Sequence, residues 1–198
     1  MSDIYKTIST TTEGIYKEKG SKFLSFAIPV NAVEEVKEIV KEYRKRFFDA
    51  RHVCYAYMFG AERADFRAND DGEPSGTAGR PILGQINSRE LTNILVIVVR
   101  YFGGVLLGTG GLVTAYKEAT ADALNEAVII EKTVNETISI NFHYIQMNDV
   151  MKVIKDTNPE IVSQTFDNQC NMQLSIRKQN AELLIGKLEK INSLSIED

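Results

Sequence analysis

Three side chains suited to acid–base chemistry, His52, Asp71 and Glu73, lie close together in the chain. A histidine beside a carboxylate is the pair that general acid–base catalysis uses, so a hydrolase-type reaction of His52 with Asp71 or Glu73 is one hypothesis. His52 and Cys54 are two residues apart, which would place them on one face of a strand and would allow a thiol nucleophile. The alternative is that His52 only makes a hydrogen bond at the end of a strand.

The two carboxylates belong to a glycine-rich segment, residues 69–80, which precedes Pro81. Its glycines permit positive φ and close backbone approach, so several N–H groups can converge into a nest for an anion, with Thr77 among the candidate binding residues. The acidic residues lack the spacing of an EF-hand. The segment is equally typical of an acidic surface turn before a helix, and no metal site is predicted.

A second glycine-rich loop, residues 100–111, joins an apolar strand to a helix. Thr109 is predicted to cap that helix, which would leave the N–H groups of Gly110 and Gly111 available to an anion. The Walker fingerprint fails because Thr109 stands where its lysine is required. The glycines also suit a purely structural loop. The candidate binding residues of the two loops and their neighbourhood are His52, Asp71, Glu73, Thr77, Arg100, Tyr101, Phe102, Gly103, Gly104, Gly110 and Gly111.

The charge of the chain gives no global attraction to nucleic acid. It has 23 basic and 27 acidic residues, a net charge of −4, and a basic footprint is what such binding requires. The candidate RNA patch is local and consists of Arg44, Lys45, Arg46 and Arg51. The first three also end an acidic helix, where positive charge suits the helix dipole. Two distant cysteines argue against a disulfide scaffold or a zinc site, and no cofactor is predicted.

The elements that position these residues change in character near residue 130. Before it, the pattern predicts strands at 5–7, 14–17, 23–28, 53–59 and 94–99, helices at 31–47, 81–88 and 109–123, and a loop at 60–80. Asn31 is the predicted N-cap of the first helix. The run Ile94–Val99 is β-branched almost throughout, which is typical of a strand buried on both faces.

After residue 130 the order of elements is β-α-β-β-α-β, which is the ferredoxin-like arrangement. We therefore predict two domains, 1–130 and 131–198, joined by the short linker Glu131-Lys132 and in contact with each other. The exposed sheet face of the second domain lacks the aromatic residues on which RNA-recognition domains stack bases. That face is predicted to carry Thr137, Ser139, Asn171, Gln173 and Ser175.

Three motifs resemble the YigZ/IMPACT family: Asp70–Leu83, Val99–Val113 with its glycines, and Arg51-His52 with Cys54 and Ala56. The resemblance implies a first domain similar to domain 2 of ribosomal protein S5, with a two-layer α/β fold. It implies a second domain similar to the last domain of elongation factor G. It implies no established enzyme activity. Its eukaryotic members regulate translation under amino-acid starvation by competing for a protein activator of an initiation-factor kinase.

Two positions depart from the family pattern and remove positive charge near the second loop. Leu106 stands where lysine is usual, and Thr114 stands where arginine is usual. Both departures argue against phosphate binding there.

The sequence thus predicts an α+β protein that is a non-enzymatic binding module linked to translation. The two loops would contact RNA or a ribosome-associated protein. The alternatives are a protein–protein adaptor that binds no nucleic acid, and the hydrolase. The longest apolar run, Ile94–Val99, is too short to span a bilayer. A cytoplasmic protein without a membrane partner is therefore expected, and the oligomeric state is left open.

Overall fold

The structure is a computed structural model that describes residues 3–167 and 169–197. The chain divides into two units, Tyr5–Lys132 and a second unit that combines Thr133 onward with the segment ending at Ile4. Within the described residues, no helix is long and apolar enough to cross a membrane.

The elements of the chain follow in order. The first part contains β1 (Ile4–Ile8), β2 (Thr12–Glu18), β3 (Ser21–Pro29), α1 (Val33–Arg46), β4 (His52–Phe59), β5 (Asp65–Asn69), α2 (Gly79–Ser88), β6 (Ile94–Tyr101), α3 (Gly108–Asn125) and β7 (Ile129–Thr133). The remainder contains β8 (Asn135–His143), a 3-10 turn (Tyr144–Gln146), α4 (Met147–Thr157), β9 (Glu160–Thr165), β10 (Gln169–Arg177), α5 (Lys178–Leu188) and β11 (Ser195–Glu197).

The first unit is built on an antiparallel five-stranded sheet with the order β2-β3-β6-β4-β5. Successive side chains of the central strand β6 point to opposite faces. Ile94, Val96 and Val98 join the core formed with α2 and α3. Leu95, Ile97 and Val99 join the core formed with α1. The prediction that this strand is buried on both faces is confirmed, but helices on both faces make three layers, so the predicted two-layer arrangement is wrong.

Several element ends differ from the predicted ones because backbone contacts decide them. The predicted loop 60–80 contains β5, which pairs with β4 at the edge of the sheet. The N-cap of α1 is Ala32 rather than Asn31, whose N–H donates to the Glu35 carboxylate at 3.3 Å. Helix α3 begins at Gly108 after the N-cap Leu107, so Thr109 lies in the first turn and does not cap the helix.

The second unit has the predicted order of strands and helices, and its antiparallel sheet has the order β11-β8-β10-β9. The apolar side chains of β8 and β10 form one core with those of α4 and α5. Thr137, Asn171 and Gln173 are exposed, whereas Ser139 and Ser175 are half-buried.

Candidate functional site

A cleft of about 510 Å³ lies where β4 begins and β6 ends, between the two glycine-rich loops. Residues 72–74 of the first loop and 106–109 of the second line it together. The full lining is Arg51, His52, Gly72, Glu73, Pro74, Arg100, Phe102, Leu106, Leu107, Gly108, Thr109 and Leu112. The structure thus brings together residues from distant parts of the chain.

A buried ion pair forms one wall of this cleft. Arg100 lies opposite His52 in the β4–β6 register, and its Nη1 donates to Glu73 Oε1 at 2.6 Å. The Arg100 and Glu73 side chains are only 6% and 3% exposed. The Tyr116 hydroxyl donates to the same oxygen at 2.9 Å. We call His52, Glu73, Arg100 and Tyr116 the Glu73 cluster.

The imidazole of His52 bridges the first loop and the Glu73 cluster. Its Nδ1 lies 2.7 Å from the backbone oxygen of Asp71. A carbonyl oxygen only accepts, so Nδ1 carries a hydrogen and Nε2 faces Glu73 Oε1 at 3.8 Å. That distance is too long for a hydrogen bond. His52 and Glu73 therefore share the cleft without forming a hydrogen-bonded acid–base pair.

The carboxylate of Asp71 does not form a hydrogen bond with the His52 ring, as an acid–base pair would require. Its Oδ2 accepts the N–H of Val53 at 2.6 Å, and its Oδ1 accepts from Arg44 Nη2 at 2.5 Å. The hydrogen bond between Asp71 and His52 is made by the backbone carbonyl of Asp71. The side chain holds the loop to β4 and α1 instead.

Cys54 is buried beneath the cluster and is not placed as a nucleophile. Its thiol donates to the backbone oxygen of Asp70 at 3.0 Å and lies 3.3 Å from the Tyr116 hydroxyl. Burial raises the pKa of the Cys54 thiol far above its usual range, and nearby carboxylates add to this effect. The reactive thiolate is therefore scarce at neutral pH. Burial likewise raises the pKa of Tyr116, so its phenol remains a hydrogen-bond donor.

The nest of N–H groups in the first loop is filled by a side chain of the protein itself. Asp70 Oδ1 accepts from the N–H groups of Ala78 and Gly79 at 3.0 and 2.8 Å, and Oδ2 accepts from Gly76 at 2.8 Å. The buried hydroxyl of Thr77 donates to the Pro74 carbonyl at 2.6 Å and is equally occupied. The N–H groups that the sequence predicted for an external anion are thus bound to Asp70, and they hold the loop and the start of α2 in place.

Replacement of Asp70 tests this account of the loop. Burial acts to raise the pKa of Asp70, but the N–H groups of Gly76, Gly79 and Ala78 outweigh it and hold the pKa below its usual value. We expect Asp70→Ala to lower the free energy of unfolding by about 3 kcal/mol at pH 7, since three donors lose a charged acceptor. Urea denaturation measures the change.

The pH dependence of the same variant supplies the second readout. A lowered pKa stabilises the folded state fully above the unfolded value of 3.8, and this stabilisation is lost as pH falls through the folded pKa. The difference between wild type and Asp70→Ala is therefore expected to shrink below pH 3.8. The exposed Asp65 provides the control, because Asp65→Ala should change stability by less than about 0.5 kcal/mol. Equal effects of the two variants would contradict the assignment.

The glycines of the second loop serve different purposes. Gly104 and Gly108 have φ of +86° and +70°, the left-handed region that favours glycine. The N–H of Gly103 donates to Ser21 Oγ at 3.1 Å, which joins the loop to β3. Gly110 and Gly111 lie in the first turn of α3 and do not line the cleft. The predicted anion site at their N–H groups therefore does not open into it.

Adjacent aromatic residues of the second loop separate to opposite sides of the sheet. Phe102 lines the cleft and is 40% exposed. Tyr101 packs with the core on the α1 face, and its hydroxyl donates to Asp49 Oδ1 at 2.9 Å. Alternation along β6 explains the difference, so Tyr101 does not take part in the cleft. Leu106 is 84% exposed at the edge of the cleft.

The four residues of the predicted RNA patch do not form one surface. The Arg46 guanidinium lies over the rings of Phe26, Tyr43 and Phe47, 5.1 to 5.9 Å from their centres. The Arg51 guanidinium lies 5.6 Å from the Phe102 ring centre and lines the cleft. Arg44 and Lys45 line a separate groove beside α1.

Tyr116 is the member of the Glu73 cluster that the sequence did not single out. It falls on the apolar face of α3, where the pattern indicates only core packing. The available signal was that a buried tyrosine hydroxyl needs a hydrogen-bond partner. Within the described residues, no group of three or more histidine, cysteine, aspartate or glutamate side chains is arranged to hold a metal ion.

Comparison with known proteins covers both units. A family model described as the Impact N-terminal domain matches residues 19–124. The IMPACT family member YigZ of Escherichia coli (strain K12) is 35% identical over 75% of this chain and 74% of its own. An IMPACT family member of Haemophilus influenzae is 31% identical over 88% of this chain and 86% of its own. A crystal structure described as a hypothetical protein is 28% identical, with a TM-score of 0.77, over 99% of this chain and 97% of that one.

Proposed function

This chain belongs to the IMPACT family, and from that premise we propose that it is a non-enzymatic regulatory protein linked to translation, which binds a ribosome-associated protein through the cleft. The link to translation comes from the family resemblance, because the eukaryotic members regulate translation by competing for a protein activator of an initiation-factor kinase. A ribosome-associated partner also fits the cytoplasmic location that the sequence predicts.

The observation that supports a protein partner is the exposed apolar rim of the cleft. Phe102, Val105 and Leu106 are all large apolar residues and are exposed within five consecutive positions of the second loop. Contiguous exposed apolar surface is characteristic of protein interaction sites. Below this rim Glu73 accepts hydrogen bonds from Arg100 and Tyr116, which gives the cleft a fixed wall on which a partner segment can pack.

The charges of the cleft favour protein over RNA as the partner. The Arg100 cation is neutralised by Glu73 at 2.6 Å, and the Arg51 cation lies over the Phe102 ring. Leu106 and Thr114 replace the basic residues usual in the family. Of the two arginines among the described lining residues, only Arg51 is without an ion pair, whereas RNA affinity depends on several phosphate contacts.

The same contacts argue against the hydrolase. Glu73 Oε1 accepts from both Arg100 and Tyr116, so these two neighbours hold the carboxylate in place, and His52 Nε2 stays 3.8 Å away from it. Cys54 is buried and protonated. His52 then lacks a hydrogen-bonded carboxylate partner.

We further propose that the second unit is ferredoxin-like, as its sheet order β11-β8-β10-β9 supports. We also propose that the five-stranded sheet of the first unit, with α2 and α3 on one face, is similar to domain 2 of ribosomal protein S5. The helix α1 on the other face is a third layer beyond the two that this likeness implies.

The test is co-sedimentation of the full chain with bacterial ribosomes isolated at low salt together with their associated proteins. We expect Leu106→Glu to reduce the bound fraction about tenfold, because it places a charge in an apolar contact. Ile145→Glu is the matched control: Ile145 is 85% exposed, as Leu106 is 84%, and it lies outside the first unit. This control is expected to bind as the wild type does.

The salt dependence of binding distinguishes the two kinds of partner. Apolar burial is not screened, so binding through the rim should persist at about 300 mM salt. Binding that disappears at this salt concentration would contradict the proposal and would restore RNA as the partner. Binding that Leu106→Glu leaves unchanged would contradict the rim of the cleft as the binding surface.

A further inference from the structure

A second groove, of about 450 Å³, runs along α1 on the face of the sheet opposite the cleft. The side chains of Tyr55 and Tyr57 form its floor, on the α1 side of β4. Its complete lining is Val33, Val36, Lys37, Val40, Lys41, Arg44, Lys45, Tyr55, Tyr57 and Arg67. The α1 members recur at helical spacing from Val33 to Lys45, so the groove follows about 18 Å of the helix at 1.5 Å per residue.

The sheet has room for a second helix at this place. Five strands spaced about 4.8 Å apart span roughly 20 Å, and a helix with its side chains is about 10 Å wide. The opposite face carries both α2 and α3, whereas within the described residues α1 is the one helix in the core of this face. On the uncovered side lies the edge strand β5, where residues 65–68 are exposed and Arg67 pairs with Tyr57.

The walls of the groove are basic although the chain as a whole is acidic. Lys37, Lys41, Arg44 and Lys45 extend from α1, and Arg67 extends from β5. Arg44 has a carboxylate partner, Asp71. No ion pair is found within residues 3–167 and 169–197 for the other four. None of the described residues that line the groove is acidic, so the net charge of −4 lies elsewhere.

We propose that this groove binds an acidic amphipathic helix of a partner protein. The apolar face of that helix would pack on the half-buried Val33 and Tyr55, beside the largely buried Val36 and Val40. Its carboxylates would meet the lysines and Arg67, which gives the charge complementarity, and the helix itself would be the second helix on this face of the sheet. An amphipathic helix in a hydrophobic groove is a recurring mode of recognition.

The floor favours a helix over single-stranded RNA. RNA of this kind is bound by aromatic faces on which successive bases stack. Tyr57 is only 7% exposed and contacts Phe59, with 5.3 Å between the ring centres. Beside it, the aliphatic Val33 is half-buried, whereas Val36 and Val40 are as buried as Tyr57. The groove therefore offers apolar contact area rather than a stacking platform.

The test uses the full chain and a fluorescein-labelled designed peptide of about 18 residues, whose helix has leucine on one face and glutamate on the other. Fluorescence anisotropy measures its affinity. We expect the double substitution Lys37→Glu and Lys41→Glu to weaken binding at least tenfold. Lys152→Glu with Lys155→Glu on α4 makes the same change in net charge and should leave the affinity unchanged. Tyr55→Ala is expected to weaken binding several-fold at constant charge.

Two controls on the probe make the outcomes decisive. A peptide with the same composition and scrambled positions should bind at least tenfold more weakly, since it lacks the apolar face. Equal binding of the scrambled peptide, or equal losses from the α1 and α4 variants, would overturn the proposal. A single-stranded RNA oligonucleotide could instead bind the wild type more tightly than the peptide does and fail to bind the α1 variant. That result would identify RNA, and not a helix, as the ligand of the groove. Circular dichroism of each variant confirms that it is folded.

Discussion

Arg100→Met is expected to destabilise the first unit by about 3 to 5 kcal/mol, because it leaves the Glu73 carboxylate buried without its cation. The two side chains are 6% and 3% exposed, so water cannot replace the lost partner. The Arg100 guanidinium also lies 5.5 and 5.7 Å from the ring centres of Phe23 and Phe102, and these contacts would weaken too. Urea denaturation followed by circular dichroism measures the loss.

A second substitution distinguishes two causes of the stability loss in Arg100→Met, the unpaired buried charge of Glu73 and the lost packing of the Arg100 side chain. Arg100→Met combined with Glu73→Gln removes both charges and keeps an oxygen that accepts from Tyr116. We expect the double variant to regain at least half of the loss, since a buried pair that is removed as a whole costs far less than a broken one. A double variant as unstable as Arg100→Met would mean that packing, and not charge, is the main contribution of Arg100.

The surface pair Lys6–Glu90 is the control for this experiment. Its Nζ and Oε2 atoms are 3.0 Å apart, and the two side chains are 41% and 70% exposed. Exposed pairs contribute between 0 and about 1 kcal/mol, so Lys6→Met should change the free energy of unfolding by less than about 1 kcal/mol.

Gly103→Ala is expected to lower the free energy of unfolding by about 3 kcal/mol. A Cβ at Gly103 would overlap the backbone of Gly20 and Ser21 in the β2–β3 turn. Backbone atoms cannot move aside as a flexible side chain can, so the loop must detach from the turn and lose the hydrogen bond to Ser21 Oγ. Thermal and urea unfolding of the purified variant measure the effect.

Gly110→Ala, in contrast, is not expected to lower the free energy of unfolding. Gly110 lies in the first turn of α3, and a Cβ there would meet no other atom within 4 Å. Alanine is favoured over glycine in a helix by about 0.5 to 1 kcal/mol, so Gly110→Ala should be neutral or slightly stabilising. Equal destabilisation by Gly103→Ala and Gly110→Ala would contradict the separate roles given to these glycines.

The sequence by itself was sufficient to predict the properties that depend on local periodicity. The unbroken apolar run of β6 indicated a strand covered on both faces, and helices do cover both. The order of elements after residue 130 followed from alternation and helical spacing. The glycine-rich motifs indicated the family. Each of these patterns is written in neighbouring residues, because the side-chain period of a strand or helix is a local property.

Only the tertiary structure decided which side chains the two loops bind. The N–H groups of the first loop are filled by Asp70, and Arg100 is neutralised by Glu73, 27 positions away in the chain. Tyr101 and Phe102, adjacent in sequence, lie on different sides of the sheet. Strand β5 forms because β4 offers it an edge, although its own residues resemble a loop. Local patterns determine the face on which a residue lies, whereas the partner that neutralises a charge or fills a nest is fixed by contacts between distant segments.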